Sequence, residues 1–455
     1  MKAGTRRGPD MELVGEIARM LLSRGATGYL VGGAVRDSLL GRRVDDIDIS
    51  VGGIGPARVA AFLHSRHGFT RPVAFKRFST AFTRRGRTQV EISSLRGQVP
   101  GDVLGRDFTV NCLYVRLSPR LAGIRRERVL DPTGKGLSDL DRGLLRAYPD
   151  CYTPLTEDPL RLLRALRFRA THGFKIEACL KQAIGRTAYL ISRAAPERVR
   201  VEIERILLSP KAASSFRIMQ QTGLLEMVFP EVAATAGFEQ GSPHHAYDLL
   251  THTLKAVSYV RPDLRLRLAA LLHDTGKIGA RRLKGRRWVY YGHENLSAVQ
   301  ARDALLRLRF PGDVIDDVVF LIENHMVNYA PAWTDAAVRR FMRRTGNILP
   351  ALLDLAAADR RAHAPETRMG TPVDQLRARL SRVTEQMESR AVTFEAPLDG
   401  RQIMRVLGIG EGPEVGRAKE YLCQVVLRRG RPLSKTEAER LLREWATRGP
   451  GPASK

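Results

Sequence analysis

The stretch from Gly28 to Val51 constrains this chain more than any other. A short apolar run, Tyr29 to Val31, breaks at Gly32-Gly33. A short helix, Ala34 to Leu40, then stops at Gly41, a residue suited to the left-handed position past a helix end. A second strand enters at Asp46-Ile47-Asp48-Ile49. Strand side chains alternate faces, so Asp46 and Asp48 point one way while Ile47 and Ile49 point into a core. Two carboxylates side by side repel each other. A divalent cation removes that cost, and Mg²⁺ is typically held by one or two carboxylates plus substrate phosphates. The glycine pair suits such a site, because backbone without Cβ atoms lets a triphosphate approach closely and helix-start N–H groups face the anion. Arg36 adds a charge-assisted contact. Asp-x-Asp alone would more often be an acidic strand end. With the Gly-Gly-x-x-Arg-Asp block before it, the pattern points to metal-dependent nucleotidyl transfer.

These residues resemble the signature of the polymerase-beta-like nucleotidyltransferases of class II, the bacterial tRNA CCA-adding enzymes and poly(A) polymerases. The resemblance extends to Gly105-Arg106-Asp107-Phe108-Thr109-Val110-Asn111, which is similar to the family's Arg-Arg-Asp-Phe-Thr-Ile-Asn-Ala block. That block contacts the nucleotide sugar and phosphates, which implies those roles for Arg106 and Asp107. Two positions depart from it: Gly105 replaces the first arginine and Cys112 the alanine. Only nine residues separate Arg96 from Arg106. Many full CCA-adding members carry a longer flexible loop here, and its loss is associated with relatives that add only CC.

Between these blocks, strands are expected near Phe69–Phe75, Ser79–Thr83 and Thr88–Ile92. In the last, Val90 and Ile92 alternate with Gln89 and Glu91, so Glu91 sits on the polar face as a third carboxylate, to orient metals or accept the attacking hydroxyl's proton. Asp131 to Gly134 reads as a turn and Gly136 to Asp141 as a link. In Glu157-Asp158-Pro159-Leu160-Arg161, Asp158 is placed as a helix N-cap with Pro159 at the first helical position. Arg161, Arg164 and Arg167 recur every three residues near one face. Cytosine and adenine each present an amino donor beside a ring-nitrogen acceptor. A carboxylate accepts from the first while a guanidinium donates to the second, and uracil and guanine mismatch both. The family's Glu-Asp-x-x-Arg motif is given this selecting role, which the resemblance assigns to Asp158 and Arg161, with Arg164 and Arg167 assisting. Residues 172–240 look all-helical, and Pro196 to Leu207 reads as structural support.

A second constellation starts at Pro243. His252 falls on a helix from Tyr247 to Val257, His273-Asp274 closes one from Leu264, and His293 follows Tyr291-Gly292. His325 ends a helix, and Asp359 lies within Asp354 to Arg360. Imidazole and carboxylate ligands suit a hydrolytic transition-metal site. The order resembles HD-type metal phosphohydrolases, with His252, His273, Asp274 and Asp359 as the inner set and His293 and His325 completing a second metal or phosphate site. A relic HD fold that binds RNA without metal is the alternative.

Lys+Arg 75 against Asp+Glu 48 gives a net charge of +27, an excess that fits a polyanionic partner. No apolar run is long enough to span a membrane, and the basic N-terminus lacks a signal-peptide core. Cys112, Cys151, Cys179 and Cys423 form no C-x-x-C pair, which suggests reduced thiols in a cytoplasmic protein. The expected architecture is α+β. A polymerase-beta-like head at 25–145 follows an N-terminal helix at 1–24. Beyond it come a helical, nucleotide-selecting and RNA-binding neck at 146–240, an HD body at 241–365, a helical tail at 366–447 and a disordered end at 448–455. The resemblance implies addition of CCA, or only CC, to tRNA 3′ ends from CTP and ATP with Mg²⁺ in the head. Poly(A) synthesis, an HD phosphohydrolase as the main activity, and an RNA-binding protein with a silent head remain open alternatives.

Overall fold

The Asp-x-Asp strand lies inside a seven-stranded mixed sheet. Its strands are β1 (Thr27–Val31), β2 (Asp46–Gly52), β3 (Val73–Phe75), β4 (Thr80–Arg85), β5 (Thr88–Ser94), β6 (Tyr114–Arg116) and β7 (Val129–Leu130), in the order β3-β4-β5-β2-β1-β6-β7. β2 pairs antiparallel with β1 and parallel with β5, in a register that sets Asp46 against Gln89 and Asp48 against Glu91. Ile47, Ile49, Val90 and Ile92 are fully buried on the opposite face. The amphipathic helix Met11–Leu22, capped by the Asp10 side chain on Leu13 N–H, buries Leu13, Val14, Ile17, Ala18 and Leu21. It approaches β1 closely at Gly28, where a Cβ would stand 2.5 Å from Leu21 Cδ1.

This computed structural model describes residues 9–75, 79–241, 247–327, 329–363 and 372–448, and its chain divides into two units, Met1–Ala233 and Ala234–Lys455. In the first unit the helices Thr153–Glu157, Leu160–His172, Ala178–Thr187 and Pro196–Leu207 follow the sheet. In the second, the helices Leu249–Tyr259, Leu264–Leu272, His293–Arg307, Gly312–Asn324 and Leu349–Ala362 carry the histidine–aspartate residues. Helices Pro372–Ser389, Gly400–Leu407, Pro413–Arg429 and Lys435–Arg448 complete that unit. The turn before Gly400 is fixed by an Asp399–Gln402 capping box.

Several local expectations are corrected. Gly136–Arg142 is a helix, ended by Gly143 in the left-handed region, and not a link. Residues 172–240 are not all-helical, because Lys175–Ile176 pairs in parallel with Leu144–Leu145. The selecting helix begins at Leu160, with Pro159 in the capping position; Asp158 Oδ1 accepts from Leu160 N–H at 3.2 Å. Cys151 and Cys179 form a disulfide, while Cys112 and Cys423 are free and buried, so only two of the four thiols match the expectation. The two cysteines are 28 residues apart with no C-x-x-C signal, and folding alone brings them together. The expected disordered end at 448–455 lies outside the described residues, apart from Arg448.

Candidate active site and the histidine–aspartate centre

In the first unit a cavity of about 600 Å³ gathers residues distant in sequence. Its floor is the polar face of β2 and β5, with Asp46, Asp48 and Glu91. Gly32 and Gly33 line one wall, and Arg106, Asp107, Asp158, Arg161, Arg164 and Arg167 line others. Every residue expected at the head site therefore borders one space, including Arg36 at the start of the helix Gly33–Leu39.

The glycine pair is fixed by geometry. Gly32 takes φ +60°, and a Cβ there would lie 3.2 Å from Asp48 Oδ2 and 3.4 Å from Arg106 Nη1. Gly33 N–H donates to Asp48 Oδ2 at 3.2 Å. Burial and then the charge of Glu91 push the Asp48 carboxyl up to about 6. Asp48 and Glu91, neighbours on one sheet face whose mutual repulsion a cation would relieve, fit a hard divalent cation.

The arginines are each held by partners. Arg36 makes a two-point contact with Asp37 (2.9 and 2.7 Å) and donates to Asn111 Oδ1 at 2.5 Å. Asp37 also meets His172 Nε2 at 3.0 Å. Despite burial, these partners bring Asp37 down to about 2. Arg106 donates to the Tyr114 hydroxyl (2.6 Å), Asp102 (3.0 Å) and Ser50 (3.1 Å). Arg161 reaches the Gly105 carbonyl at 2.6 Å and the Pro154 carbonyl at 3.1 Å. Arg164 donates to Asp107 Oδ2 through Nε and Nη2 at 2.8 and 2.6 Å. Asp107 Oδ1 accepts from Phe108 N–H and Asn111, so both oxygens of this buried carboxylate are engaged, and it stays well below the usual carboxylate range. Arg167 pairs with buried Glu202 at 2.7 Å, and burial lowers it to about 10. The Phe168 ring has Arg36 at 4.8 Å and Arg167 at 4.5 Å from its centroid.

Gly105 now has a physical account. A Cβ at this position would fall on the Arg96 guanidinium, so Arg96 fills the space that a larger residue would need. The short segment between Arg96 and Arg106 contains the helix Val99–Val103, which carries Asp102 beneath Arg106. Sequence reasoning missed Asp37, Asp102, Tyr114, Asn111, His172 and Glu202 as partners. Asp37 and Asn111 stood inside blocks already singled out. The other four carry no spacing signal.

In the second unit, His252, His273, Asp274 and Asp359 present ligand atoms within 4.8 Å of one another, and Asp274, His293 and His325 form a second such group. Asp274 belongs to both. Its Oδ2 lies 3.3 Å from His273 Nε2 and its Oδ1 3.3 Å from His293 Nε2. The Nδ1 atoms of His273, His293 and His325 face the carbonyls of Ala270, Tyr290 and Ile322 at 3.0, 2.8 and 2.7 Å. That fixes their tautomers and turns Nε2 inward. The buried Nε2 atoms of His273 and His293 make no hydrogen bond. Orphaned inward nitrogens around shared carboxylates fit metal ions. Burial lowers His273, but Asp274 outweighs it and holds this imidazole up at about 10. Lys277 Nζ donates to Asp274 Oδ2 at 2.7 Å and Gln240 Oε1 at 3.0 Å. The six expected residues are thus brought together.

The chain matches the poly A polymerase head domain family over residues 28–100 and 75–146, and the HD domain family over 249–363. Residues 173–235 match the family described as "Probable RNA and SrmB-binding site of polymerase A". Both the head and the HD parts are of kinds that use divalent metal. The chain is 36% identical to a CC-adding tRNA nucleotidyltransferase of Thermus thermophilus over 431 residues, covering 92% of this chain and 93% of that protein. It is 34% identical to an A-adding tRNA nucleotidyltransferase of Deinococcus radiodurans, covering 93% and 96%. Its fold is similar to that of the Bacillus stearothermophilus CCA-adding enzyme in complex with CTP, with a TM-score of 0.66, 22% identity, and 96% and 97% of the two chains covered. No helix among the described residues is long and apolar enough to cross a membrane.

Proposed function

The chain belongs to the tRNA nucleotidyltransferase family, and from that premise we propose that it builds CCA ends on tRNA from CTP and ATP without a template. The observation that carries this reading is the single cavity shared by the three carboxylates and the Asp158–Arg161 pair. The tRNA 3′-hydroxyl attacks the α-phosphorus of the nucleotide, the bond to the β-phosphate oxygen breaks, and pyrophosphate leaves. Asp46 and Asp48 would hold Mg²⁺, whose chemistry is to acidify the attacking hydroxyl and neutralise the leaving oxygen. Glu91, paired with Asp48 across the sheet, orients that set or takes the hydroxyl proton. Gly32, Gly33, Arg36 and Arg106 receive the triphosphate. Asp107 sets Arg164 against the sugar and base. Asp158 accepts the exocyclic amine and Arg161 donates to the ring nitrogen, which admits C and A. Use of both triphosphates and tRNA supports a cytoplasmic location for the reaction. The excess of basic charge supports a grip on the tRNA backbone and shape.

A narrower reading, addition of CC only, is favoured by the short Arg96–Arg106 segment, whose space beside Gly105 is taken by Arg96. For the second unit we infer phosphoester hydrolysis with a transition metal held by His252, His273, Asp274 and Asp359, with His293 and His325 at a second position. The imidazole-rich donor set supports that choice over Mg²⁺.

The test is an incorporation assay on tRNA transcripts lacking all three terminal nucleotides, the last two, or the last one. Labelled CTP or ATP and Mg²⁺ are supplied, with Asp46→Ala as control. Completion to CCA is expected for the broad reading, and arrest after two cytidines for the narrow one. A long A tail, or no incorporation, overturns both.

A further inference from the structure

Residues Arg281 to Gly292 hold five basic side chains and no acid. They form the antiparallel hairpin Arg282–Lys284 with Arg287–Val289, turning at Gly285. Arg282, Lys284, Arg286 and Arg287 are exposed. Among the described residues, none of these four has a carboxylate partner. Large apolar groups stand open beside them: Leu283 is 61% exposed, Trp288 37% and Tyr291 74%. Cations already lie over the two rings, with Arg281 at 4.0 Å from Trp288 and Lys284 at 5.7 Å from Tyr291. Basic charge interleaved with exposed aromatic faces is the chemistry that holds single-stranded nucleic acid, through phosphate neutralisation and base stacking.

The hairpin is also built into the histidine–aspartate centre. Tyr291 stands two residues before His293. The Tyr290 carbonyl accepts from His293 Nδ1 at 2.8 Å, and the Tyr290 hydroxyl donates to the Gln240 carbonyl at 2.7 Å. Gln240 is bonded through Lys277 to Asp274. Trp288 packs so closely on Gly241 that a Cβ there would meet its ring at 2.5 Å. We propose that this hairpin binds a single-stranded RNA end, stacking its bases on Tyr291 and Trp288, and leads the terminal phosphate to the HD centre. The proposal rests on the hydrolytic reading of that centre for its purpose, and on the hairpin alone for its binding.

The test uses the full chain and a fluorescent hexauridylate with a 3′-phosphate, an end the head cannot extend. Arg286→Glu/Arg287→Glu should raise the Kd about tenfold or more and reduce the slope of log K against log salt by about 1.4, that is, about 0.7 for each of two phosphates. Tyr291→Ala should weaken binding about tenfold. With 5-iodouridine in the same oligonucleotide, photocrosslinks should map to Trp288 or Tyr291. Unchanged Kd and slope in both variants, or crosslinks confined to residues 1–233, would overturn the proposal. Hydrolysis of p-nitrophenyl phosphate with added Mn²⁺ or Ni²⁺, against Asp274→Ala, is measured alongside. Loss of RNA binding in the variants, with no hydrolysis by the parent protein, would sustain the hairpin as an RNA arm and reject the hydrolytic reading.

Discussion

The two units gather charged residues in opposite ways. The head site is an open cavity with oxygen donors on one sheet face, ringed by arginines from the helices Gly33–Leu39 and Leu160–His172 and from the loop at Arg106. The histidine–aspartate centre is closed. Its four histidines and Asp274 are buried, and within each of the two groups the ligand atoms lie within 4.8 Å of one another. An open ring leaves room for a substrate as large as a nucleoside triphosphate. A closed cluster pre-arranges a small ion and leaves the substrate to come from outside. The difference in donors follows: carboxylates alone suit a hard cation that keeps waters and phosphates, whereas imidazoles suit a softer one.

The sharpest way to break this comparison is to disable each site separately. Asp48→Ala should lower nucleotide incorporation by a factor on the order of 10³ or more while leaving phosphoester hydrolysis intact. Asp274→Ala should do the reverse. If either substitution abolishes both activities with the fold intact by circular dichroism, the sites are not independent.

Next in size is selectivity within the open ring. Arg161→Ala removes the donor proposed to reach the base and should reduce kcat/KM for CTP by about 10²-fold, with a smaller loss for UTP. Equal loss for both would show that Arg161 serves the phosphates. A metal exchange sharpens the donor argument. After chelation, Mg²⁺ should restore incorporation to at least about 80% and hydrolysis hardly at all, while Mn²⁺ or Ni²⁺ should restore hydrolysis. Hydrolysis restored fully by Mg²⁺ would contradict it.

The smallest effect is on stability. Asp37 is held at about 2 against an ordinary 3.8, a depressed pKa, so its contribution is present above about pH 4 and lost as pH falls toward 2. The shift corresponds to on the order of 2 kcal/mol. Asp37→Asn should lower stability to urea by about that amount at pH 7, and the gap should narrow at pH 3. A gap of the same size at both values would assign the loss to packing.

Much of the head was legible because its motifs are local. Gly32-Gly33, Asp46-x-Asp48 and Asp158 to Arg161 are each confined to one turn or strand, and strand alternation put Glu91 on the polar face; only the observed register sets it against Asp48. What escaped was pairing across long separations. Asp37 with His172 spans 135 residues, and Arg167 with Glu202 spans 35. Glu202 lies on the charged helix Pro196–Leu207, and only tertiary packing turns it inward. The Cys151–Cys179 bridge was missed for the same reason. The HD ligands were legible as residue types in order, yet the sharing of Asp274 between two groups depends on how separate helices converge.

The tethered arginines of the head have a thermodynamic consequence. Arg36 and Arg106, the two proposed to receive the triphosphate, each already face a carboxylate. A triphosphate arriving there does not simply meet bare positive charge; it must compete with resident anions for guanidinium hydrogen bonds. On the proposed reading, entry would be an exchange of partners, favoured for a ligand whose oxygens engage both arginines together. Orthophosphate or sulfate, reaching only one of them, would gain less. On that reading the cavity would be buffered against small anions that reach a single guanidinium.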